Sequence, residues 1–252
     1  MAENYTLSQD VLAGDLPTLT IARDDLAKDA PLVIALHGLG GRKETMLPGL
    51  YAFARAGCRV VAFDVQWHGE RPGAAERETR LQTDFFTTTG EMIQGTAHDI
   101  SRLLDALGAD RAAIHGISLG GYIAFTALML EPRLQVASVA IGSPDWTGPM
   151  RKFGLSPGNP IFDMALSLSP LTLLPAALPP RPLLMQHGTL DETVSVDGVI
   201  ALEKSLRPLY AANPERMHLE LYPNLGHVYT DGMQKRAEEW ITRFMGETNN
   251  RR

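Results

Sequence analysis

The sequence predicts an α/β fold, with a mostly parallel central sheet and helices on both faces. Three observations carry this. Short apolar runs recur without polar alternation, as in strands buried on both faces. Between them lie stretches with apolar residues at helical spacing, several closed by glycine. The two kinds of segment alternate through most of the 252 residues, which implies right-handed crossovers and parallel pairing.

Taken in order, residues 18–23 (Thr-Leu-Thr-Ile-Ala-Arg) alternate and predict an early antiparallel strand at a sheet edge. Residues 31–37 (Pro-Leu-Val-Ile-Ala-Leu-His) are a nearly continuous apolar run ending at Gly38, hence a buried strand. A helix over 45–56 is closed by Gly57, and 59–64 (Arg-Val-Val-Ala-Phe-Asp) forms the next buried strand. Residues 90–107 place Met92, Ile93, Ile100, Leu103, Leu104 and Leu107 at helical spacing before Gly108. Residues 112–115 predict a short strand and 119–130 a strongly apolar helix. Strands follow at 136–141, 182–186 and 218–222, with helices at 196–206 and 231–245 covering them.

Two segments break the rhythm. Residues 65–90 are polar and contain glycine. Residues 142–180 hold eight prolines, together with Met150, Phe153, Phe162 and Met164. Proline discourages long helices, while the apolar content favours a cap folded over the carboxyl edge of the sheet over a plain surface loop.

Composition narrows the function classes. The 23 basic and 29 acidic residues give a net charge of −6, which argues against a nucleic-acid or anionic-membrane surface. The single cysteine, Cys58, cannot form an internal disulfide, and no Cys/His cluster resembles a metal site. The N-terminus lacks the basic and apolar regions of a signal peptide, and no run approaches the ~18 apolar residues of a membrane span. The expectation is a reducing compartment, most simply the cytoplasm.

The strongest local signal is Gly116-Ile117-Ser118-Leu119-Gly120-Gly121, between a predicted strand and a predicted helix. Glycines leave room for a sharp turn that thrusts the serine outward. Its hydroxyl then lies at a helix N-terminus, where backbone N–H groups favour negative charge. A serine nucleophile needs a base. Of the seven histidines, His98 falls in a helix and His218 in a strand, while His37, His115 and His187 precede glycines at strand ends. His227, in the loop between the last strand and the final helix, can reach back over Ser118 and is the expected base. Asp191, in the loop after strand 182–186, is the expected orienting acid, in the chain order Ser, Asp, His; Glu192 fits a helix cap better.

The oxyanion donors expected are the backbone N–H of Leu119 and that of Leu39, in the loop His37-Gly38-Leu39-Gly40-Gly41. The loop has no Gly-Lys-Ser/Thr and no dinucleotide fingerprint, which argues against phosphate cradling.

In this order, His37-Gly38-Leu39-Gly40, the elbow at 116–120, His187-Gly188-Thr189-Leu190-Asp191 and Gly226-His227 resemble the α/β-hydrolase superfamily across residues 31–230. Asp64-Val65-Gln66-Trp67-His68-Gly69-Glu70-Arg71 resembles a segment of small bacterial carboxylesterases, relatives of dienelactone hydrolases and prolyl-oligopeptidase catalytic domains. The resemblance implies one α/β-hydrolase domain over 1–252 with a cap at 142–180, acting on short acyl esters without a cofactor. Dienelactone hydrolases proper use cysteine where this chain has Ser118.

The expected partner is a small-molecule ester. A thioesterase, lysophospholipase or small peptidase would use the same three residues, and a non-catalytic binding protein would not need them. His68, Met150, Phe153, Phe162 and Met164 are candidate substrate contacts. The alternatives for them are a turn at His68, with Arg71 stabilising the loop, and simple packing of the cap for the other four.

Overall fold

In the computed structural model, which describes residues 4–27, 30–178 and 180–249, eight strands form one sheet. They are β1 (Tyr5–Leu12), β2 (Leu16–Arg23), β3 (Leu32–Leu36), β4 (Arg59–Phe63), β5 (Ala112–Ile117), β6 (Leu134–Ala140), β7 (Leu183–Gly188) and β8 (Met217–Tyr222). Their spatial order is β1-β2-β4-β3-β5-β6-β7-β8. From β4 onward every pairing is parallel, while β2 runs antiparallel to both β1 and β4.

The unbroken apolar runs have the cause expected of them. In β3, Leu32, Ile34 and Leu36 point into one core while Val33 and Ala35 point into another, on the opposite face. The first core is completed by α3 (Phe85–Ala106), α4 (Leu119–Leu130), α7 (Pro170–Ala177) and α8 (Asp197–Leu206). The second is completed by α1 (Leu47–Arg55) and α9 (Asp231–Asn249), through Leu50, Phe53, Trp240 and Phe244. Cys58 belongs to this second core, where burial pushes its thiol up to about 12.

The expectation of an edge strand at 18–23 is overturned. Tyr5–Leu12 folds back as β1 and takes the edge, leaving β2 inside the sheet with Leu16, Leu19 and Ile21 buried. The 65–90 stretch is also more ordered than its polarity suggests. It contains α2 (Arg77–Thr83) and the first turn of α3, whose N-terminus is capped by Asp84 accepting from the Thr87 N–H at 3.1 Å.

Residues 142–180 fold into α5 (Thr147–Lys152), α6 (Pro160–Leu168) and α7. Residues 160–177 together are long and apolar enough, by length and composition, to cross a membrane. Extended backbone at Ser169, followed by Pro170, breaks them into two helices. Phe162, Ala165 and Leu174 are packed into the core.

Candidate active site

The parallel strands deliver their carboxyl ends to one edge of the sheet, where ligand sites of such folds gather. At the end of β5, Ser118 adopts φ 55° and ψ −116°, a strained conformation for a residue with a Cβ. Its neighbours permit this. A Cβ on Gly116 would collide with the Gly120 carbonyl, and one on Gly120 with the Leu36 carbonyl of β3. The turn from strand to helix therefore closes only without side chains at these two positions.

Ser118 Oγ lies 2.9 Å from His227 Nε2, and His227 Nδ1 lies 2.7 Å from Asp191 Oδ2. Asp191 Oδ1 accepts the Thr193 and Val194 N–H groups at 3.0 and 2.8 Å, so the carboxylate is held on both oxygens. An ionised Asp191 requires a proton on Nδ1 of His227, which leaves Nε2 free to accept the serine proton. Residues 118, 191 and 227, from three separate loops, thus form a hydrogen-bonded series.

A fourth side chain joins them. His187, fully buried at the end of β7, places Nε2 2.9 Å from the Val194 carbonyl and 3.2 Å from Asp191 Oδ2. Donation to the carbonyl puts its proton on Nε2, and burial lowers its pKa, keeping the ring neutral. His187 thus meets the same carboxylate oxygen, Asp191 Oδ2, that His227 contacts.

The loop after β3 is tied down from behind. Gly38 packs against Ser118, close enough that a Cβ there would lie 3.2 Å from the serine Cβ. His37 donates from Nδ1 to the Gly38 carbonyl (2.9 Å) and accepts the Val65 N–H at Nε2 (3.0 Å). Burial pushes its pKa down to about 4. His68 donates from Nδ1 to the Gln66 carbonyl (3.0 Å) and accepts the Gly40 N–H at Nε2 (3.1 Å). Lys43, also buried, sends its backbone N–H to Asp64 Oδ1 (2.8 Å) and its Nζ to Asp64 Oδ2 (3.2 Å) and Glu44. These carboxylates, with Glu70, outweigh the cost of burial and raise the Lys43 pKa.

Ser118, His227 and the residues Leu39 and Leu119 face a cavity of about 680 Å³. As the first residue of α4, Leu119 has an N–H with no preceding helical carbonyl to bond. The far walls are Phe85, Phe86 and Ile93 of α3 with Trp146, Met150 and Phe153 in and around α5.

Of the five candidate substrate contacts, the structure brings Met150 and Phe153 to this cavity and places the other three elsewhere. His68 is completely buried and spends both ring nitrogens on backbone groups, so it cannot meet a substrate. Phe162 is buried, with the Arg151 guanidinium 5.8 Å from its ring centre. Met164 lies on the outer face of α6, because that helix turns Phe162 and Ala165 inward. Arg71 bonds Asp99 at 2.8 Å in a structural network with Arg102 and Asp15.

The α3 wall was not foreseen. Its sequence signal is the series Phe86, Thr89, Gly90 and Ile93, whose i, i+3, i+4, i+7 spacing sets them on one helix face.

A central sheet of this order, an outward-thrust serine at the β5–α4 turn and a loop histidine after β8 define an α/β hydrolase. The chain belongs to the alpha/beta hydrolase fold family, which it matches over residues 31–170. Among curated proteins it is 25% identical over 258 aligned positions to YitV of Bacillus subtilis, provisionally named an esterase, covering 96% of this chain and 98% of YitV. Among solved structures, TT1662 from Thermus thermophilus superposes with a TM-score of 0.77 at 24% identity, covering 96% of this chain and 98% of its own. A provisionally named dienelactone hydrolase from Klebsiella pneumoniae gives 0.67 at 17% identity, covering 98% and 100%. The last two likenesses concern the fold alone.

Proposed function

We propose that this hydrolase is a serine carboxylesterase working through an acyl-enzyme. The observation that carries the reading is the series Ser118–His227–Asp191, set at a strained turn and facing an apolar cavity. His227 Nε2 takes the proton of Ser118 as Oγ bonds the ester carbonyl carbon. Asp191 holds the imidazole in the required tautomer and balances its positive charge. The carbonyl oxygen, now an oxyanion, turns to the N–H groups of Leu39 and Leu119, each contributing about 3 kcal/mol of transition-state stabilisation.

Collapse breaks the bond to the alcohol oxygen, which leaves with the proton held on His227. Water then gives a proton to His227 and bonds the acyl carbon, and collapse releases the acid and restores Ser118. The acyl group passes from the alcohol oxygen to Ser118 Oγ and then to water, with His227 carrying the proton at each step, so no cofactor enters the sequence. The esterase name of YitV supports the ester as substrate.

The test is turnover of p-nitrophenyl esters by the protein and its Ser118→Ala variant. Loss of nearly all turnover is expected, and retained activity overturns the assignment. Rates on matched ester, thioester and amide substrates separate an esterase from a thioesterase or peptidase using the same residues.

A further inference from the structure

We infer that the cavity beside Ser118 takes esters with a bulky apolar group, larger than the short acyl esters the resemblance implies, and that Gly90 sets its depth. The inference rests on the esterase reading above.

Three observations carry it. The first is size: about 680 Å³ falls within the roughly 300–1,000 Å³ of pockets that enclose drug-sized ligands, far more than an acetyl group fills. The second is chemistry. The walls at 85–93 and 146–153 bring Phe85, Phe86, Ile93, Trp146, Met150 and Phe153 together. Phe86 contacts Phe85 and Phe153 edge-on, with ring centres 5.6 Å apart in both pairs, so the two walls meet. Such a surface gains by covering apolar atoms, although Lys152 and Glu192 also stand in the lining.

The third is Gly90 itself. Glycine within a helix is unfavourable relative to alanine, so its presence calls for a reason. Elsewhere in α3 the reason is contact: a Cβ at Gly95 would collide with the Gln66 side chain. At Gly90 a Cβ would meet nothing within 4 Å, and φ is not positive. Neither packing nor backbone conformation demands glycine there. What Gly90 does is line the cavity, on the same helix face as Phe86, Thr89 and Ile93. A side chain at this position would project into the space a substrate occupies. Gly90 is therefore a specificity-determining position, and its lack of a side chain leaves room for the substrate.

The experiment measures kcat/KM on two series, p-nitrophenyl esters from acetate to octanoate and alkyl acetates from methyl to hexyl. The variants are Gly90→Ala and Gly90→Leu, with melting temperature recorded for each. In at least one series kcat/KM should rise roughly fourfold per methylene until the cavity is full, and that series identifies whether the acyl or the alcohol side occupies it. Gly90→Leu should lower the ratio of longest to shortest ester by about tenfold or more. Gly90→Ala should lower it less, while raising the melting temperature by about 1–4 °C.

Flat or falling profiles in both series overturn the inference. So does an unchanged ratio in a folded Gly90→Leu protein; should that variant not fold, the Gly90→Ala ratio decides. In these cases Ser118-dependent turnover leaves the esterase reading standing. Absence of turnover on every ester overturns both.

Discussion

Replacing Asp191 with asparagine changes one atom at Oδ2 or Oδ1, and the structure dictates which. The Thr193 and Val194 N–H groups both point at Oδ1, at 3.0 and 2.8 Å, and require an acceptor there. The amide oxygen of an asparagine must therefore occupy the Oδ1 position, which turns its NH2 toward His227 Nδ1, 2.7 Å away in the parent. Two donors cannot face each other at that distance, so His227 moves its proton to Nε2 and accepts at Nδ1. The nitrogen facing Ser118 then carries a proton and cannot take another.

The wrong tautomer is expected to lower kcat by about 10⁴-fold, about 5 kcal/mol of transition-state stabilisation. KM should move little, because Asp191 does not line the cavity. Steady-state kinetics on a p-nitrophenyl ester, with circular dichroism and melting temperature to confirm folding, measure this. A fall of less than about tenfold in a folded Asp191→Asn protein would refute the tautomer argument.

Other consequences follow from the groups behind the site. His68→Leu removes the acceptor of the Gly40 N–H and should lower kcat by up to about 10²-fold through misplacement of the Leu39 N–H, with a smaller change in KM; a raised KM with kcat unchanged would point to lost binding instead. Lys43→Met leaves the buried Asp64 carboxylate without its ammonium partner and should cost about 3–5 kcal/mol in urea unfolding. Glu70→Gln, at a side chain 71% exposed, should cost under about 1 kcal/mol; comparable losses in both contradict the burial argument. Burial holds His37 and His115 at about 4, below their ordinary 6.5. The unfolded chain therefore binds protons that the folded chain refuses as pH falls from 6.5 to 4. Stability is complete above pH 6.5 and should decline below it by up to about 1.4 kcal/mol per pH unit for each ring, so equal urea midpoints at about pH 7.5 and about pH 5 would contradict it.

What the sequence disclosed follows the burial of each element. Strands β3 to β7 are covered on both faces, so their runs are mostly apolar, with few polar residues such as Ser138 and Gln186, and stand out from the helices between them. Strand β1 escaped notice because it is mostly exposed and carries Ser8, Gln9 and Asp10 in succession. Its pairing with β2 is a tertiary fact, and it displaced β2 from the edge.

At the site, Ser118, Asp191 and His227 were legible because glycines, strand ends and chain order confine them to one edge. Side-chain direction was not. His68 stands in a motif beside the site yet turns behind the loop, and Phe162 and Met164, two residues apart in α6, leave the cavity by opposite routes. The α3 wall was hidden because Thr87-Thr88-Thr89-Gly90 has weak helix propensity. Asp84 at its cap and packing of Thr88 and Met92 on the body support the helix there.

The central claim is that Ser118 is a nucleophile activated by His227. Its most direct test is reaction of the folded protein with a fluorophosphonate, followed by peptide mapping by mass spectrometry. One adduct per chain, on Ser118, lost in Ser118→Ala and strongly slowed in His227→Ala, is the predicted result. A folded protein that remains unlabelled, or labels on another residue, would contradict it.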